Sequence, residues 1–141
     1  RREQLLAKAE SLDALIIEDD FEFESNYLTQ PHPALRSIDT SDRVIYMSCL
    51  SKVLAPGLRL GFMVAAPEVI DEARKLRRLI ARHPPLNNQR TAAFFLSLGH
   101  YDTFLMHLHK TFEERWIALR RALNYYMLFY VEMAPAQGGS S

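Results

Sequence analysis

The strongest constraint on this chain is the way short apolar runs alternate with helical patterns. Residues 14–17, 43–48 and 58–65 are brief stretches rich in β-branched, aromatic and leucine side chains. Each is too short for a buried helix, and each is bounded by Asp, Ser, Pro or Gly, which marks a strand. Around them apolar residues recur three and four apart. Leu5, Leu6, Ala9 and Leu12 precede the first run, Val69, Ile70, Ala73, Leu76, Leu79 and Ile80 follow the third, and Leu105, Leu108, Phe112, Trp116, Leu119 and Leu123 come later. The spacing predicts a helix over 1–12, one starting at Pro67, one over about 87–98 with Gly99 as its stop, and a long last helix. Residues 25–42, with Pro31, Pro33 and several Asp, Ser and Thr, read as a loop. Strands interleaved with helices predict an α/β fold. Three strands are few for a sheet, and the chain opens on Arg1 within a helical pattern. It therefore reads as an excerpt of a longer polypeptide.

Composition narrows the partners. The 141 residues are 48% hydrophobic, with 17 Lys+Arg against 17 Asp+Glu. That apolar fraction can build a core and excludes intrinsic disorder. Zero formal charge supplies no electrostatic pull toward nucleic acid or an anionic membrane. The longest apolar stretch, residues 125–131, is far too short to span a bilayer. One cysteine, Cys49, excludes an intrachain disulfide or a multi-cysteine metal site, and suits a reducing cytoplasm.

Two clusters carry chemistry. The first run ends in Glu18-Asp19-Asp20-Phe21-Glu22-Phe23-Glu24. If the strand continues in register, Glu18, Asp20, Glu22 and Glu24 share one face, and Ile17, Asp19, Phe21 and Phe23 the other. Asp19 is then a carboxylate among apolar neighbours, which must find a cation or strong donors. The other acids, Glu22 and Glu24 above all, read as a solvated strand end. A Mg²⁺ site is disfavoured, because alternate carboxylates point apart. The second cluster follows the second run: Ser51 and Lys52 stand at the carboxyl end of a strand, where open α/β sheets place ligands. The Pro56-Gly57 turn then returns Arg59 toward them. A lysine, an arginine and a serine converging there form an anion site, with Arg59 offering a fork of donors to a phosphate. No Gly-x-x-x-x-Gly-Lys precedes, so this is not a P-loop.

The stretch Ser51-Lys-Val-Leu-Ala-Pro-Gly-Leu-Arg-Leu-Gly-Phe62 resembles the pyridoxal-phosphate lysine motif of fold-type I aminotransferases. It is most similar to the aminotransferase-like domain of MocR-type regulators of the GntR family. Residues 16–24 resemble the strand that carries the pyridine-nitrogen aspartate, with Asp19 33 positions before Lys52 and Arg59 seven after. His83-Pro-Pro, Asn88-Gln-Arg, Phe95-Leu and Gly99-His-Tyr, followed by a long helix with Glu-Arg-Trp116, resemble the same group. The likeness covers residues 1–123, and 124–141 reads as a divergent tail.

The resemblance implies a partial fold-type I large domain of three strands plus helices, ending in a long helix. It implies pyridoxal 5'-phosphate as cofactor and Lys52 as Schiff-base lysine and proton carrier. Asp19 would pair with the pyridine nitrogen, and Ser51 and Arg59 would hold the phosphate. Two further cofactor positions depart from the family pattern. Phe21 stands where Tyr is usual and cannot donate to the phenolic oxygen, and Cys49, a weaker donor, replaces a Ser or Thr. Ser48 stands where Gly is usual. The implied function is amino transfer between an amino acid and a 2-oxo acid. The alternative is the effector-sensing domain of a MocR-type regulator, with an amino acid or amine as ligand and DNA met only through a winged helix upstream. The family also implies a homodimer, and an isolated segment that is inactive because aromatic, phosphate and carboxylate contacts lie outside it.

Other residues have simpler readings. His107 and His109 are two apart and cannot share a metal on a helix, so neither they nor His83 and His100 predict a metal site. His32, between prolines, reads as a loop residue. Phe112 and Trp116 form a packing stripe with Leu108 and Leu119. Arg74, Lys75, Arg77 and Arg78 encircle a helix as a solvated face.

Overall fold

The computed structural model describes residues 1–20, 24, 32–83 and 85–127. Its contacts divide the chain into two units, residues 1–21 with 32–92, and residues 22–31 with 93–141.

The first unit is the α/β part. Helix α1 (Arg2–Ser11) leads through a turn into β1 (Ile16–Asp19). Asp13 takes a left-handed φ of 50° at that turn, and Arg43 holds its carboxylate at 2.6 Å. A short helix α2 (Leu35–Ile38) precedes β2 (Val44–Cys49), and a 3₁₀ turn (Pro56–Leu58) precedes β3 (Gly61–Val64). Helix α3 (Pro67–Ala81) follows with Pro67 in its first turn, then α4 (Leu86–Ser97), of which residues up to Ala92 belong here. The sheet order is β1-β2-β3. Strands β1 and β2 run parallel, from Ile16 opposite Val44 to Asp19 opposite Met47. Strands β2 and β3 run antiparallel, from Tyr46 opposite Val64 to Cys49 opposite Gly61. Val44 has no exposed surface, and Ala9, Leu35, Val53 and Ala92 are buried with it.

Two carboxylates lock the crossover between the parallel strands. Glu18 receives the N–H groups of Leu35 at 2.6 Å and Arg36 at 3.0 Å, so it satisfies the first donors of α2. Arg2 pairs with the same carboxylate at 3.4 Å. Asp39, just past α2, is fully covered. Its Oδ1 accepts from the Ser41 N–H and hydroxyl, and its Oδ2 from the Val44 N–H and the Arg36 guanidinium. Burial alone pushes this carboxyl up. The Val44 and Ser41 N–H groups, the Ser41 hydroxyl and Arg36 outweigh it and hold the carboxyl below the usual carboxylate range.

Three expectations change in detail. Strand β1 ends at Asp19, where its pairing with β2 ends, and the expected continuation through residues 21–23 lies outside the described residues. Strand β3 begins at Gly61 rather than Leu58, because the 3₁₀ turn and a left-handed Arg59 occupy the residues before it. Of the expected loop over 25–42, the described residues 32–42 include a helical turn, α2. Residues 25–31 lie outside the described residues.

In the second unit the long helix α5 (His100–Tyr126) follows Gly99, whose left-handed φ of 74° suits a residue without a Cβ. Leu105, Leu108, Phe112, Trp116 and Leu123 are half-buried along it, as the stripe predicts, while Leu119 is exposed. Phe104 meets Phe95 edge-on at 6.3 Å. Glu24 is not a solvated acid. Tyr101 donates to its Oε1 at 2.8 Å, a His109 ring nitrogen meets its backbone oxygen, and its Oε2 is buried without a hydrogen bond. Helix α5 runs through residues 124–126, and the remainder of the expected tail lies outside the described residues. No helix among the described residues is long and apolar enough to cross a membrane.

Candidate functional site

The described site candidates lie at the end of β1 and at the end of β2 with the loop that follows it. Because β1 and β2 are parallel, Asp19 and the loop leaving β2 emerge on the same side. The end of β1 is fastened to β2 by side chains as well as by the ladder. The buried Ser48 donates its hydroxyl to the Asp20 carbonyl at 2.7 Å, and the Asp20 N–H donates to the Met47 carbonyl at 2.9 Å. Tyr46 donates to the Asp20 carboxylate at 3.3 Å. Asp19 is thereby held level with Met47, five residues before Lys52.

The loop from Leu50 to Leu60 is closed at its neck. Cys49 and Gly61 face each other as the last sheet pair. The Leu50 N–H donates to the Leu60 carbonyl at 3.0 Å. Ser51 Oγ accepts the Leu60 N–H at 3.0 Å and points its own hydroxyl at the Leu60 carbonyl at 3.4 Å. Inside the loop, Leu54 N–H bonds Leu50 O at 2.9 Å and Leu58 N–H bonds Ala55 O at 3.0 Å. Arg59 stands between Leu58 and Leu60 with φ 50° and ψ 41°, a left-handed conformation costly for a residue with a Cβ. Asn88, from α4, donates its side-chain amide to the Leu58 carbonyl at 3.0 Å.

Ser51 thus meets Leu60, the residue after Arg59, with Lys52 next to Ser51 in sequence and Cys49 at the loop's base. Lys52 and Arg59 are exposed, and Ser51 and Cys49 are half-buried. Asp19 lies on the face of Ile17, as alternation requires, but that face is open: Ile17 is 66% exposed and Asp19 is exposed too. The covered carboxylate on β1 is Glu18, which α2 occupies, with 14% of its side chain exposed. Phe21 lies outside the described residues. No group of three or more His, Cys, Asp or Glu able to hold a metal exists among the described residues.

Sequence reasoning gave no role to Ser48 or Asn88. Ser48 stood out only as a departure from a glycine, and its partner, a backbone carbonyl on another strand, leaves no mark in a motif. Asn88 lies 29 positions beyond Arg59, and no periodicity relates the two.

No family model matches the chain. The transcriptional regulator TauR of Rhodobacter capsulatus is 45% identical over 123 residues, 87% of this chain and 25% of that protein. The probable rhizopine catabolism regulatory protein MocR of Rhizobium meliloti is 37% identical over 114 residues, 81% of this chain and 23% of that protein. The crystal structure of a kynurenine aminotransferase from Pyrococcus horikoshii, in complex with PMP, superposes with a TM-score of 0.87 at 29% identity. It is matched over 98% of this chain and 34% of its own length. The chain has the fold of a segment of the fold-type I aminotransferases. It spans about a quarter of the curated regulators, and it carries the three strands and long helix of the fold-type I large domain.

The donor set suits a phosphorylated pyridine cofactor. Lys52 supplies an amine, Arg59 a fork of donors and Ser51 a hydroxyl within one closed loop, and Asp19 supplies a carboxylate at the same sheet edge.

Proposed function

We propose that this chain is the cofactor-bearing segment of a pyridoxal-phosphate-dependent aminotransferase domain, acting on an amino acid and a 2-oxo acid. The observation that carries the reading is the closed Leu50–Leu60 loop, with Ser51 bonded to Leu60 beside Arg59, opening at the sheet edge where Asp19 emerges. Pyridoxal phosphate, when bound, supplies an electron sink that stabilises a carbanion at the substrate's α-carbon.

This chain's residues do the rest. Lys52 would hold the cofactor through Nζ, and its free amine would carry the α-proton as general base. Asp19 holds the proton on the pyridine nitrogen, because a carboxylate favours the charged ring. Arg59 would offer its guanidinium to the phosphate, with Ser51 in the same loop. Cys49, at the loop's base, adds a weak donor. Phe21 has no hydroxyl to donate to the cofactor's phenolic oxygen.

A second reading has its own support. The 45% and 37% identical relatives are regulators. On that reading the same residues bind the cofactor and an amino acid or amine, and the bound state is passed to a DNA-binding part, in a homodimeric cytoplasmic protein.

One experiment tests the shared core of both. The intact protein is titrated with pyridoxal phosphate, reduced with borohydride and mapped by mass spectrometry. Label at Lys52 that disappears in Lys52→Ala supports the reading. Label spread over Lys8, Lys52, Lys75 and Lys110 refutes it. Transfer of an amino group to a 2-oxo acid within one turnover separates the enzyme from the sensor.

A further inference from the structure

We infer that Asn88 is a positioning residue for the phosphate site, acting through the backbone that carries Arg59. The inference rests on the cofactor reading above and adds a residue from outside the motif. Three observations carry it. Arg59 holds a left-handed conformation, φ 50° and ψ 41°, that its own side chain does not favour. The residues on either side of it are each held by a side chain: Asn88 donates to the Leu58 carbonyl at 3.0 Å, and Ser51 accepts the Leu60 N–H at 3.0 Å. Arg59 itself is exposed, so the backbone at residue 59 fixes where its side chain starts, with little packing to steer it.

The physical consequence is specific. An arginine binds phosphate well only when its fork meets two oxygens in one plane. Rotation about the backbone at residue 59 swings that fork through several ångströms. With both flanking peptides tied, the left-handed state is the one that keeps both bonds. Without the Asn88 amide, Leu58 O loses its side-chain donor, and the extended and right-handed states of Arg59 become accessible. Ser51 alone then holds one side of a two-sided clamp. Asn88 touches no reacting atom in this scheme.

The test separates a phosphate effect from a general one. Dissociation constants of pyridoxal phosphate and of pyridoxal, which lacks the phosphate, are measured for the intact wild-type protein, Asn88→Ala, the isosteric Asn88→Asp, Arg59→Ala and the double variant Arg59→Ala/Asn88→Ala. Asn88→Asp keeps the volume but presents an acceptor to the Leu58 carbonyl, so it removes the bond without a cavity. The expected result is about tenfold weaker pyridoxal phosphate binding in both Asn88 variants, with pyridoxal binding unchanged within about twofold. In the Arg59→Ala background, Asn88→Ala adds nothing further. Equal weakening of both ligands, no weakening, or an effect that persists without Arg59 overturns the inference. A second measurement does not depend on Lys52. Inorganic phosphate should slow phenylglyoxal modification of Arg59 in the wild type and lose that protection in Asn88→Asp. If Lys52 takes no label but Asn88-dependent phosphate protection remains, the cofactor reading fails and the clamp stands. If Lys52 labels normally and Asn88→Asp protects like the wild type, the clamp fails and the reading stands.

Discussion

Replacing Asp39 should cost more stability than any other single change among the described polar side chains. All four groups that meet its carboxylate are donors: Ser41 N–H at 3.0 Å, Ser41 hydroxyl at 3.1 Å, Val44 N–H at 2.8 Å and Arg36 Nη1 at 3.1 Å. The carboxylate is fully covered, and Val44 begins β2 with no exposed surface. Alanine leaves two backbone N–H groups and part of a guanidinium facing a void. Unsatisfied buried donors cost roughly 1–3 kcal/mol each, and breaking a covered ion pair about 3–5 kcal/mol. Arg36 keeps Asp42 at 2.7 Å, which offsets part of that loss. We expect about 3 kcal/mol for Asp39→Ala. Asparagine keeps the shape but must turn an NH₂ toward two donors, so about 2 kcal/mol is expected. Urea unfolding of the intact protein at neutral pH measures both. The acid side provides an independent sign. Asp39's folded pKa is depressed, so its contribution is complete above the unfolded value near pH ~3.9 and is lost as pH falls through the lower folded value. Between neutral pH and the acid limit the variants should show a shallower loss of stability than the wild type. An asparagine variant within about 0.5 kcal/mol of wild type, or an unchanged acid slope, would refute the hub.

Two further changes probe the crossover and the hairpin. A Cβ at Gly61 would lie 3.2 Å from the Ser48 carbonyl, so Gly61→Ala must push β3 from β2 and should cost about 1 kcal/mol by urea unfolding. Glu18→Gln keeps one acceptor for the two N–H groups at the start of α2 and loses the charge that faces Arg2, so a loss of about 1–2 kcal/mol is expected. Parity of either variant with wild type would show that the contact is slack.

How far the sequence reaches depends on the range of the interaction that decides each feature. The helix pattern of residues 67–81 and the stop at Gly99 are local, and both elements form within a residue or two of their expected ends. The order of strands and the carboxyl-edge placement of Lys52 follow from connectivity. The extent of β1 is not legible because alternation describes where side chains would point if a strand continued, not whether a neighbour is there to pair with it. Met47 is the last partner, so β1 stops. The role of Glu18 was missed for a related reason. Its parity was right, but the donors it meets belong to a helix 17 and 18 positions away. Ser51 and Arg59 are legible as a pair because a Pro-Gly turn joins them, while Asn88 reaches the same loop only through the folding of α4 beside it.

The left-handed Arg59 also bears on how such a chain would drift. Glycine pays almost nothing for that conformation and asparagine little, whereas arginine sacrifices roughly 1 kcal/mol there. Arg59→Gly would thus make the fold more stable while erasing its guanidinium. Selection on stability alone pushes this position away from arginine, and only use of the side chain holds it. In a lineage that stopped using the loop, residue 59 is where neutral change would be drawn first, so its occupant serves as a gauge of whether the loop is still at work.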